Sequence, residues 1–483
     1  MPGMDPSFLP AHVLAALVRA GKIGCLELLD HFIARVERHD PKINAVVVRD
    51  FDRARARARA LDNDPARRGT LFGVPMTVKE SFDITGLPTT WGVPEERGSI
   101  AHRNALAVDR LQAEGAVVFG KTNVPLLLAD WQSYNAIYGT TNNPWDLARS
   151  PGGSSGGSAA ALAAGMTGLE VGSDIGSSIR NPAHYCGVFG HKPSWGVCPP
   201  LGQALRGNVS QADISVIGPL ARSADDLMLG LDALAGPDDI EAQGWKLDLA
   251  PARATRFADL RVAVMTDHPL SEVDTSITGK IEELTTFLAK QGARVSSTAR
   301  PDFDLAHAHR LYITLLRATT SARLDEEAMS VWREEAARHS QDDGSYLALM
   351  ARGNTLLHRD FLRGNEMRQR MRRAWAEFFR DWDLLLCPAA ASPAQKHDHE
   401  GQRWERTIEV NGHRVPATDQ MFWAGISCFF LLPATVAPLG LAPSGLPVGV
   451  QIIGPQFGDR TTITFARMLE SAWQGFTPPS EWM

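Results

Sequence analysis

The sequence predicts an α/β fold in which helices cover a large mixed, mostly parallel, twisted sheet. Short runs rich in valine and isoleucine alternate along the chain with stretches of helical periodicity. The pattern is clearest where a strand at Arg261–Met265 is followed by a helix capped by Asp274 and by a second strand at Val295. This order is typical of a parallel crossover, which places helices on the faces of a sheet. We expect a single domain over residues 1–483.

Composition indicates a folded globular protein that does not bind nucleic acid. Hydrophobic residues make up 44% and charged residues 22% of the chain, which is close to the average of soluble domains. The 49 lysines and arginines are outnumbered by 55 aspartates and glutamates, giving a formal net charge of -6. A nucleic-acid binder normally carries a basic field instead. The five cysteines form no CxxC pair, which favours a reducing compartment over a disulfide framework.

The apolar stretches do not indicate a membrane protein. No basic segment precedes the first apolar run, so we expect no secretory signal and a cytoplasmic location. Closely spaced prolines and glycines follow the most apolar stretch, Met421–Pro433, and favour buried strands and turns over a membrane helix of about 20 residues. His307 with His309 and His397 with His399 lack the acidic or cysteine partners of a known zinc pattern. Neither a metal nor another cofactor is therefore predicted.

Three helices and one strand are predicted before residue 80. Ser7–Ala20 and Leu26–Arg38 have amphipathic periodicity. Arg53–Ala60 alternates arginine with alanine, and because both are strong helix formers we interpret it as a helix. Val74–Lys79 alternates like a strand and ends in a lysine. That lysine is either a surface side chain whose ammonium group reaches water or a buried functional group.

Residues Gly115–Thr122 spell the G-x-x-x-x-G-K-[ST] pattern of a nucleotide-binding P-loop. A P-loop requires a strand before the first glycine and a helix that begins at the lysine. Here the apolar residues between the two glycines are themselves the expected strand, and Pro125 follows too soon for an uninterrupted helix. P-loop nucleotide binding is therefore the weaker alternative for this chain.

Two turns rich in glycine and serine, at residues 152–157 and 172–178, flank an alanine-rich segment. Glycine adopts backbone angles that other residues resist, so each turn allows a close approach of the backbone. The second turn ends shortly before Pro182, and proline is best tolerated in the first turn of a helix. Ser178 is thus predicted near a helix N-terminus, where unpaired N–H groups favour an oxyanion. A nucleophilic hydroxyl suits this position, and a helix-capping hydroxyl is the alternative.

Together these motifs resemble the amidase signature family of serine hydrolases. The resemblance rests on Gly73–Lys79, Pro151–Ser158 and Gly172–Arg180. The spacing also suits the family, since Lys79 lies 154 − 79 = 75 residues before Ser154 and 178 − 79 = 99 residues before Ser178. Shorter agreements occur at residues 120–123, 141–145 and 445–451. We expect residues 60–235 to form the core that carries the signature.

The resemblance implies catalytic roles for three side chains. Ser178 would be the nucleophile, Ser154 a bridging serine that follows a cis peptide bond, and Lys79 the base. A lysine can act as a base only when it is neutral, and burial favours the neutral form. The oxyanion of the intermediate would be held by four backbone N–H groups, those of Ile175, Gly176, Ser177 and Ser178.

Further residues are expected to support the site or to line its pocket. Supporting roles fall to three residues beside the turns, namely Ser155, Asp174 and Arg180, of which the last two could form an ion pair. The substrate pocket is expected to involve a helix-rich insertion or cap at residues 301–420 together with three aromatic side chains, those of Trp131, Tyr134 and Tyr138. Core packing is the alternative role for these aromatic residues.

Two positions depart from the commonest pattern of the family. Ile175 stands where threonine is frequent, and Ser177 stands where glycine is usual. The Cβ and hydroxyl of Ser177 would lie inside the oxyanion loop, so the backbone shape of that loop is in question. Substrate preference therefore does not carry over from close relatives.

The resemblance implies a hydrolase of small-molecule amides that needs no cofactor and forms an acyl-enzyme. Carbamates (urethanes) and esters are further expected substrates, because their hydrolysis passes through the same kind of tetrahedral intermediate. The family also includes the glutaminase-type subunit of tRNA-dependent amidotransferases, which requires partner subunits. The helix-rich residues 301–420 favour a hydrolase that acts without such partners, and a homodimer remains open.

Overall fold

The computed structural model describes residues 5–483, which contain fourteen helices longer than one 3₁₀ turn and fifteen strands. The first half of the chain contains α1 (Ala11–Arg19), α2 (Cys25–Ile43), β1 (Val46–Arg49), α3 (Phe51–Asp62), β2 (Pro75–Lys79), α4 (Leu106–Ala113), β3 (Val117–Thr122), β4 (Tyr134–Asn135), β5 (Gly139–Thr140), α5 (Gly156–Ala163), β6 (Glu170–Asp174), α6 (Arg180–Cys186), β7 (Phe189–Lys192), β8 (Val216–Ala221) and α7 (Ala224–Leu234).

The second half begins with the predicted crossover and then becomes largely helical. It contains β9 (Arg261–Val264), α8 (Thr275–Lys290), β10 (Arg294–Ser296), α9 (Leu305–Ser321), α10 (Glu326–Arg338), α11 (Tyr346–Asn354), α12 (His358–Asp381), β11 (Leu384–Pro388), β12 (Thr407–Val410), β13 (His413–Pro416), α13 (Met421–Cys428), β14 (Ala434–Leu441), β15 (Pro447–Ile453) and α14 (Asp459–Ala472). The helices predicted at Leu26–Arg38 and Arg53–Ala60 are confirmed as parts of α2 and α3.

The predicted α/β class is confirmed, with an eight-stranded mixed sheet at its centre. The strand order is β10-β9-β11-β15-β14-β7-β8-β6, and a separate three-stranded sheet has the order β1-β3-β2. The predicted crossover is also confirmed, because β9 and β10 pair in parallel and the Asp274 side chain accepts a hydrogen bond from Ser276 N–H at the start of α8. Helices pack around both sheets and bury a large apolar core, beside which lie three smaller apolar clusters.

The expectation that most strands of this mixed sheet run parallel is wrong. In the eight-stranded sheet only the β10–β9 and β9–β11 pairs are parallel, and the other five pairs are antiparallel. A tight turn produces an antiparallel hairpin without a crossover, which explains the β14–β15 pair. The prolines and glycines around Gly445 close such a hairpin between β14 and β15. The other four antiparallel pairs join strands with long connections, so their direction depends on which distant strands pack together.

The P-loop interpretation of Gly115–Thr122 is also wrong. Strand β3 occupies most of this segment, so no loop is available to wrap a phosphate. Lys121 is buried, and its ammonium group donates to the Pro88 carbonyl and, at 3.0 Å, to Thr89 Oγ1. A lysine that is already held by two protein oxygens on a strand cannot serve as the phosphate-binding lysine of that motif.

Two apolar segments differ in detail from their predicted structures. The first helix begins at Ala11 rather than Ser7, because Pro10 precedes it and the Asp226 carboxylate of α7 accepts from the N–H groups of Ala11 and His12. The start of Met421–Pro433 forms the short buried helix α13 rather than a strand. No helix among residues 5–483 combines the length and apolar character needed to cross a membrane.

Candidate active site

Lys79 lies at the C-terminal end of β2, a strand whose five residues are all buried. Its side chain is completely enclosed, which excludes the surface lysine considered as an alternative. The amine reaches three serine hydroxyls, with Nζ at 2.6 Å from Ser154 Oγ and at 3.0 Å from both Ser155 Oγ and Ser173 Oγ. A neutral amine would donate to two of these hydroxyls and accept from the third.

The protonation of Lys79 follows from this enclosure. Burial lowers the pKa of Lys79 to about 7, from an ordinary value near 10.5, against a smaller opposing effect of the Asp174 carboxylate. Desolvation disfavours the charged ammonium, and the hydroxyls around it carry no compensating charge. A substantial fraction of Lys79 is therefore neutral near neutral pH.

Ser154 follows a cis peptide bond after Gly153, as the resemblance implied. The glycine is required by a close approach of the chain, because a Cβ on Gly153 would lie 2.4 Å from the Asp130 carbonyl oxygen. Ser154 and Ser178 both line one cavity of about 740 Å³. Their segments are tied together, since Ser155 N–H donates to the Ser178 carbonyl at 3.1 Å.

A buried ion pair supports the turn that carries Ser178. Arg180 donates from Nη2 to Asp174 Oδ1 at 2.9 Å and from Nε to Asp174 Oδ2 at 3.0 Å, and neither side chain is exposed. Burial alone would raise the pKa of Asp174, but the Arg180 guanidinium holds it below its usual range. The same carboxylate accepts the N–H groups of Ser177 and Ile179 at 2.8 and 3.1 Å. Asp174 thus fixes the backbone on both sides of Ser178.

Arg180 also joins this turn to distant parts of the fold. Its Nη1 donates to Ser427 Oγ at 2.8 Å and to Gln451 Oε1, and its Nη2 lies 2.9 Å from Cys428 Sγ. Ser427 and Cys428 belong to α13, and Gln451 belongs to β15. Gln451 of the motif at residues 445–451 therefore provides a hydrogen-bond acceptor for Arg180, which in turn holds the turn that carries Ser178.

The four proposed oxyanion-hole amides are not equivalent. Ser177 N–H is already engaged by Asp174 and is unavailable to an oxyanion, which corrects that part of the prediction. Within residues 5–483, the amides of Ile175, Gly176 and Ser178 have no protein acceptor. The Ile175 carbonyl is held by the Tyr312 hydroxyl at 3.2 Å. Since a trans peptide points its N–H away from its C=O, this contact turns the Gly176 N–H away from Tyr312.

Ser177 occupies a conformation that favours glycine. Its φ is 76°, in the left-handed region that a Cβ disfavours. Its side chain is fully buried, and Ser177 Oγ has no hydrogen-bond partner among residues 5–483. The position that departs from the family pattern is therefore locally strained and carries an unsatisfied hydroxyl.

A model of the Amidase family matches residues 27–463, which is most of the chain. The chain belongs to the Amidase family. The prediction of an amidase signature enzyme from the three motifs is confirmed.

Proteins similar to this amidase are named for several different activities. Fatty-acid amide hydrolase 2 from Homo sapiens is 30% identical over a match that covers 97% of this chain and 90% of the relative. A glutamyl-tRNA(Gln) amidotransferase subunit from Anaeromyxobacter sp. (strain K) is 32% identical, and the match covers 96% of each protein. Among solved structures, 6-aminohexanoate cyclic dimer hydrolase complexed with substrate superimposes with a TM-score of 0.79 at 25% identity, covering 99% of this chain and 100% of that one.

The aromatic residues predicted for the pocket of this amidase lie in different places. Trp131 lines the cavity, and its indole N–H donates to the Gly176 carbonyl at 2.7 Å. Tyr134 and Tyr138 are not among the residues that line the cavity. The Tyr134 ring stacks on His399 at 3.7 Å, and the Tyr138 hydroxyl donates to the buried Glu80 carboxylate at 3.1 Å. For these two tyrosines, packing and structural hydrogen bonds are the observed roles.

Several residues of the site escaped sequence reasoning. Ser173 contacts Lys79 and lies within the motif Gly172–Arg180, but its residue type gave no reason to assign it a role. Tyr312 binds the Ile175 carbonyl and lies outside all the motifs. Gln451 does lie in one, and its motif agreed with the family at residues 445–451. That agreement was the available signal for its contact with Arg180.

Proposed function

We propose that this amidase cleaves carboxamide C–N bonds through a catalytic triad of Lys79, Ser154 and Ser178 and a covalent acyl-enzyme. The observation that carries the proposal is the buried Lys79 amine, 2.6 Å from Ser154 Oγ beside the cavity that Ser178 also lines. Membership in the Amidase family and the names of relatives support hydrolysis of amides. The roles of the three residues and the range of substrates are our inference.

In the proposed reaction, neutral Lys79 accepts a proton from Ser154, which in turn accepts the proton of Ser178. Ser178 Oγ attacks the carbonyl carbon of the substrate, and the carbonyl oxygen becomes an oxyanion. The leaving amine takes its proton from Lys79 through Ser154, and the acyl-enzyme forms as the C–N bond breaks. Water then attacks the ester of Ser178, delivering a proton along the same path and releasing the acid.

The proposed oxyanion hole consists of the unoccupied amides of Ile175, Gly176 and Ser178. Preorganised N–H donors stabilise the charge that develops in the transition state without reorganising during the reaction. The Asp174–Arg180 pair and the Tyr312 hydroxyl hold this loop in place from two sides. Loss of either support is expected to lower the rate by displacing the donors.

Labelling with a fluorophosphonate tests the nucleophile directly. The adduct should map to Ser178, and Ser178→Ala should reduce kcat/KM for an anilide substrate by about 10³-fold or more. Ser154→Ala and Ser155→Ala form a matched pair, since both hydroxyls contact Lys79 but only Ser154 is proposed to relay the proton. The loss in Ser154→Ala should exceed the loss in Ser155→Ala. An adduct on another residue, or full activity in Ser178→Ala, would contradict the mechanism.

Carbamates and esters are proposed as further substrates because they share the tetrahedral intermediate. A series of anilide, carbamate and ester with the same acyl and leaving groups separates these activities. All three should be lost together in Ser178→Ala if one site hydrolyses them. Carbamate cleavage that persists in Ser178→Ala would show that a group other than Ser178 catalyses it.

A glutaminase role within an amidotransferase is a second candidate. The match to the glutamyl-tRNA(Gln) amidotransferase relative covers 96% of both proteins, so residues 301–420 do not distinguish this role from that of an independent hydrolase. Ammonia release from free glutamine by the isolated chain tests the role. Rapid release of ammonia from glutamine with no cleavage of anilides would favour the glutaminase; the reverse would favour the hydrolase.

A further inference from the structure

Three arginines line the same cavity as the proposed triad: Arg317 on α9, Arg323 just beyond that helix, and Arg403 shortly before β12. No carboxylate in residues 5–483 forms a salt bridge with any of these guanidinium groups. Unpaired positive charge on partly buried side chains of a cavity wall is unfavourable unless something balances it. These arginines therefore require an explanation beyond the proposed catalytic machinery.

The carboxylates that line the cavity do not balance this charge. Asp130 forms its own ion pair with Arg406 Nη1 at 2.6 Å. Asp213 is similarly paired with Arg368 Nη1 at 2.8 Å. Both partner arginines lie outside the set of cavity-lining residues. Each negative charge in the wall is thus matched, and the three cavity arginines remain in excess.

The protein also leaves most of the donors of these arginines unused. Arg323 donates from Nη1 to the Leu127 carbonyl at 3.2 Å, and Arg403 donates from Nη1 to the Ala129 carbonyl. Arg317 donates from Nη2 to the Tyr346 hydroxyl. The Nε atoms of Arg317 and Arg403 are buried and have no acceptor among the described residues. A guanidinium group carries five N–H donors, so each arginine can still bind a ligand.

The electrostatic environment agrees with an excess of positive charge. Burial, together with the smaller effects of the Arg317 and Arg323 charges, lowers the pKa of Arg403 to about 10, against weaker opposing effects of Tyr346 and Asp130. Burial would raise the pKa of Tyr346, but the nearby Arg317 and Arg403 bring it below its ordinary value. A phenol whose anion is favoured in this way lies in a positive field, which would equally favour a bound anion.

We propose that the cavity binds an amide whose remainder carries an oxyanion, a carboxylate or a phosphate, held by Arg317, Arg323 and Arg403. The planar fork of a guanidinium group matches the geometry of both oxyanions. The rest of the wall includes the apolar side chains of Trp91, Leu316 and Phe361, which suit an apolar or aromatic body between the anion and the scissile bond. This inference rests on the proposed amide hydrolysis and names the class of substrate for that site.

The alternative is that the arginines only hold a strained loop. Leu127 and Leu128 have φ values of 54° and 55°, and the carbonyls that Arg323 and Arg403 bind belong to this segment. A purely structural role predicts that replacing either arginine lowers the melting temperature without changing the preference for charged substrates. Substrate preference therefore distinguishes the two explanations.

Matched substrates test the proposal on either side of the scissile bond. For the acyl side, the mono-p-nitroanilide of glutaric acid is compared with pentanoyl p-nitroanilide, in which a methyl group replaces the carboxylate. For the amine side, N-acetyl-4-aminobenzoate and N-acetyl-4-aminophenyl phosphate are compared with N-acetyl-4-toluidine. In at least one series, kcat/KM for an anionic member should exceed that of the neutral member by about tenfold or more. The two anions on the amine side separate carboxylate from phosphate.

The arginine variants link the preference to the cluster. In Arg323→Gln and Arg403→Gln the ratio of kcat/KM for the anionic to the neutral substrate should fall towards one, and further in the double variant. Arg310→Gln is the matched control, because Arg310 lies on α9 and is exposed to solvent. Its ratio should equal that of the unmodified enzyme. Melting temperatures measured in parallel identify variants that fold poorly.

Binding to the Ser178→Ala enzyme separates this proposal from the proposed hydrolysis. Calorimetry with the same substrate pairs should give a dissociation constant about tenfold lower for the anionic member, with the difference reduced at high salt. Tighter anion binding that depends on the arginines supports the subsite even if no substrate is hydrolysed. Equal binding and equal kcat/KM within every pair would overturn the subsite, although hydrolysis and fluorophosphonate labelling could still support the proposed function.

Discussion

At the scale of single residues, the state of Lys79 decides what the proposed triad can do. An amine held by three hydroxyls in an enclosed position has no carboxylate in direct contact to stabilise its charge. The desolvation of the ammonium form exceeds the attraction of Asp174, so the pKa of Lys79 falls to about 7. Lys79 therefore changes from charged to neutral within the pH range in which the enzyme would be assayed.

We expect kcat/KM to rise with pH through an apparent pKa of about 7. The base acts in its neutral form, so activity is lost as pH falls below this value and levels off above it. A pH–rate profile between about pH 5 and pH 9 with a neutral anilide measures the effect. Lys79→Arg serves as the control, because arginine keeps the charge and cannot act as the base. A flat profile, or activity in Lys79→Arg, would contradict a lysine base.

Ser177 provides a second prediction, which concerns stability. Ser177→Gly removes a Cβ from a left-handed residue and a buried hydroxyl without a partner. Removing the backbone strain and the unpaired hydroxyl stabilises the folded state. Glycine also stabilises the unfolded chain through its greater flexibility, but by less, so we expect a net gain of about 1 kcal/mol in the free energy of unfolding. Denaturant unfolding measures it. Ser177→Ala removes only the hydroxyl and should gain less; equal or lower stability in the glycine variant would show that the serine is accommodated.

At the scale of elements, one arginine connects the turn that carries Ser178 with α13 and β15. Arg180 binds Asp174 through two N–H groups and reaches Ser427 and Gln451 in the same buried network. Its contacts bring together residues that are more than 240 positions apart in the chain. The turn that carries Ser178 is therefore supported by α13 and β15 as well as by its own residue Asp174.

Removal of this connection should be costly. Arg180→Leu leaves the Asp174 carboxylate buried without its partner, and breaking a buried ion pair typically costs about 3–5 kcal/mol. Arg180→Lys keeps the positive charge but loses the forked guanidinium geometry, so its stability should lie between that of Arg180→Leu and that of the unmodified enzyme. Thermal melting measures the effect, with Arg256→Ala as the control, since its pair with Asp259 is solvent-exposed and should leave the melting temperature unchanged. Similar melting temperatures for Arg180→Leu and the control would exclude Arg180 as a main support of the turn.

The sequence predicted elements well where local chemistry decides them. The glycine turns before Ser154 and Ser178, the apolar strand that ends at Lys79, and the helix capped by Asp274 are all local features. Sheet direction was predicted poorly, because it depends on which distant strands meet. The Tyr312 contact could not be predicted for the same reason, since its partner Ile175 lies 137 residues away and no pattern joins them.

At the scale of the whole molecule, the C-terminal Trp482 joins distant parts of the fold. Its side chain is 2% exposed, and its indole N–H donates to the Pro144 carbonyl at 2.7 Å. Its backbone carbonyl accepts a hydrogen bond from the Arg35 side chain on α2, and its ring packs edge-on against the ring of His39 on the same helix. Pro144 belongs to the segment 141–145, in which the Asn143 side chain donates to the carbonyls of Ser150 and Tyr185, near the turns that carry Ser154 and Ser178.

Because Trp482 supports this assembly from outside the cavity, we expect its loss to affect stability more than chemistry. Trp482→Ala should lower the free energy of unfolding by about 3–5 kcal/mol, as for other buried aromatic residues. Trp482→Phe keeps most of the apolar volume and loses only the indole hydrogen bond, so its cost should be about 1 kcal/mol. The exposed Met483 supplies the control, and Met483→Ala should change nothing. At a temperature where each variant is folded, kcat/KM should stay within about twofold of the unmodified enzyme. A larger fall in fully folded Trp482→Ala would show that this distant contact also positions the turns that carry Ser154 and Ser178.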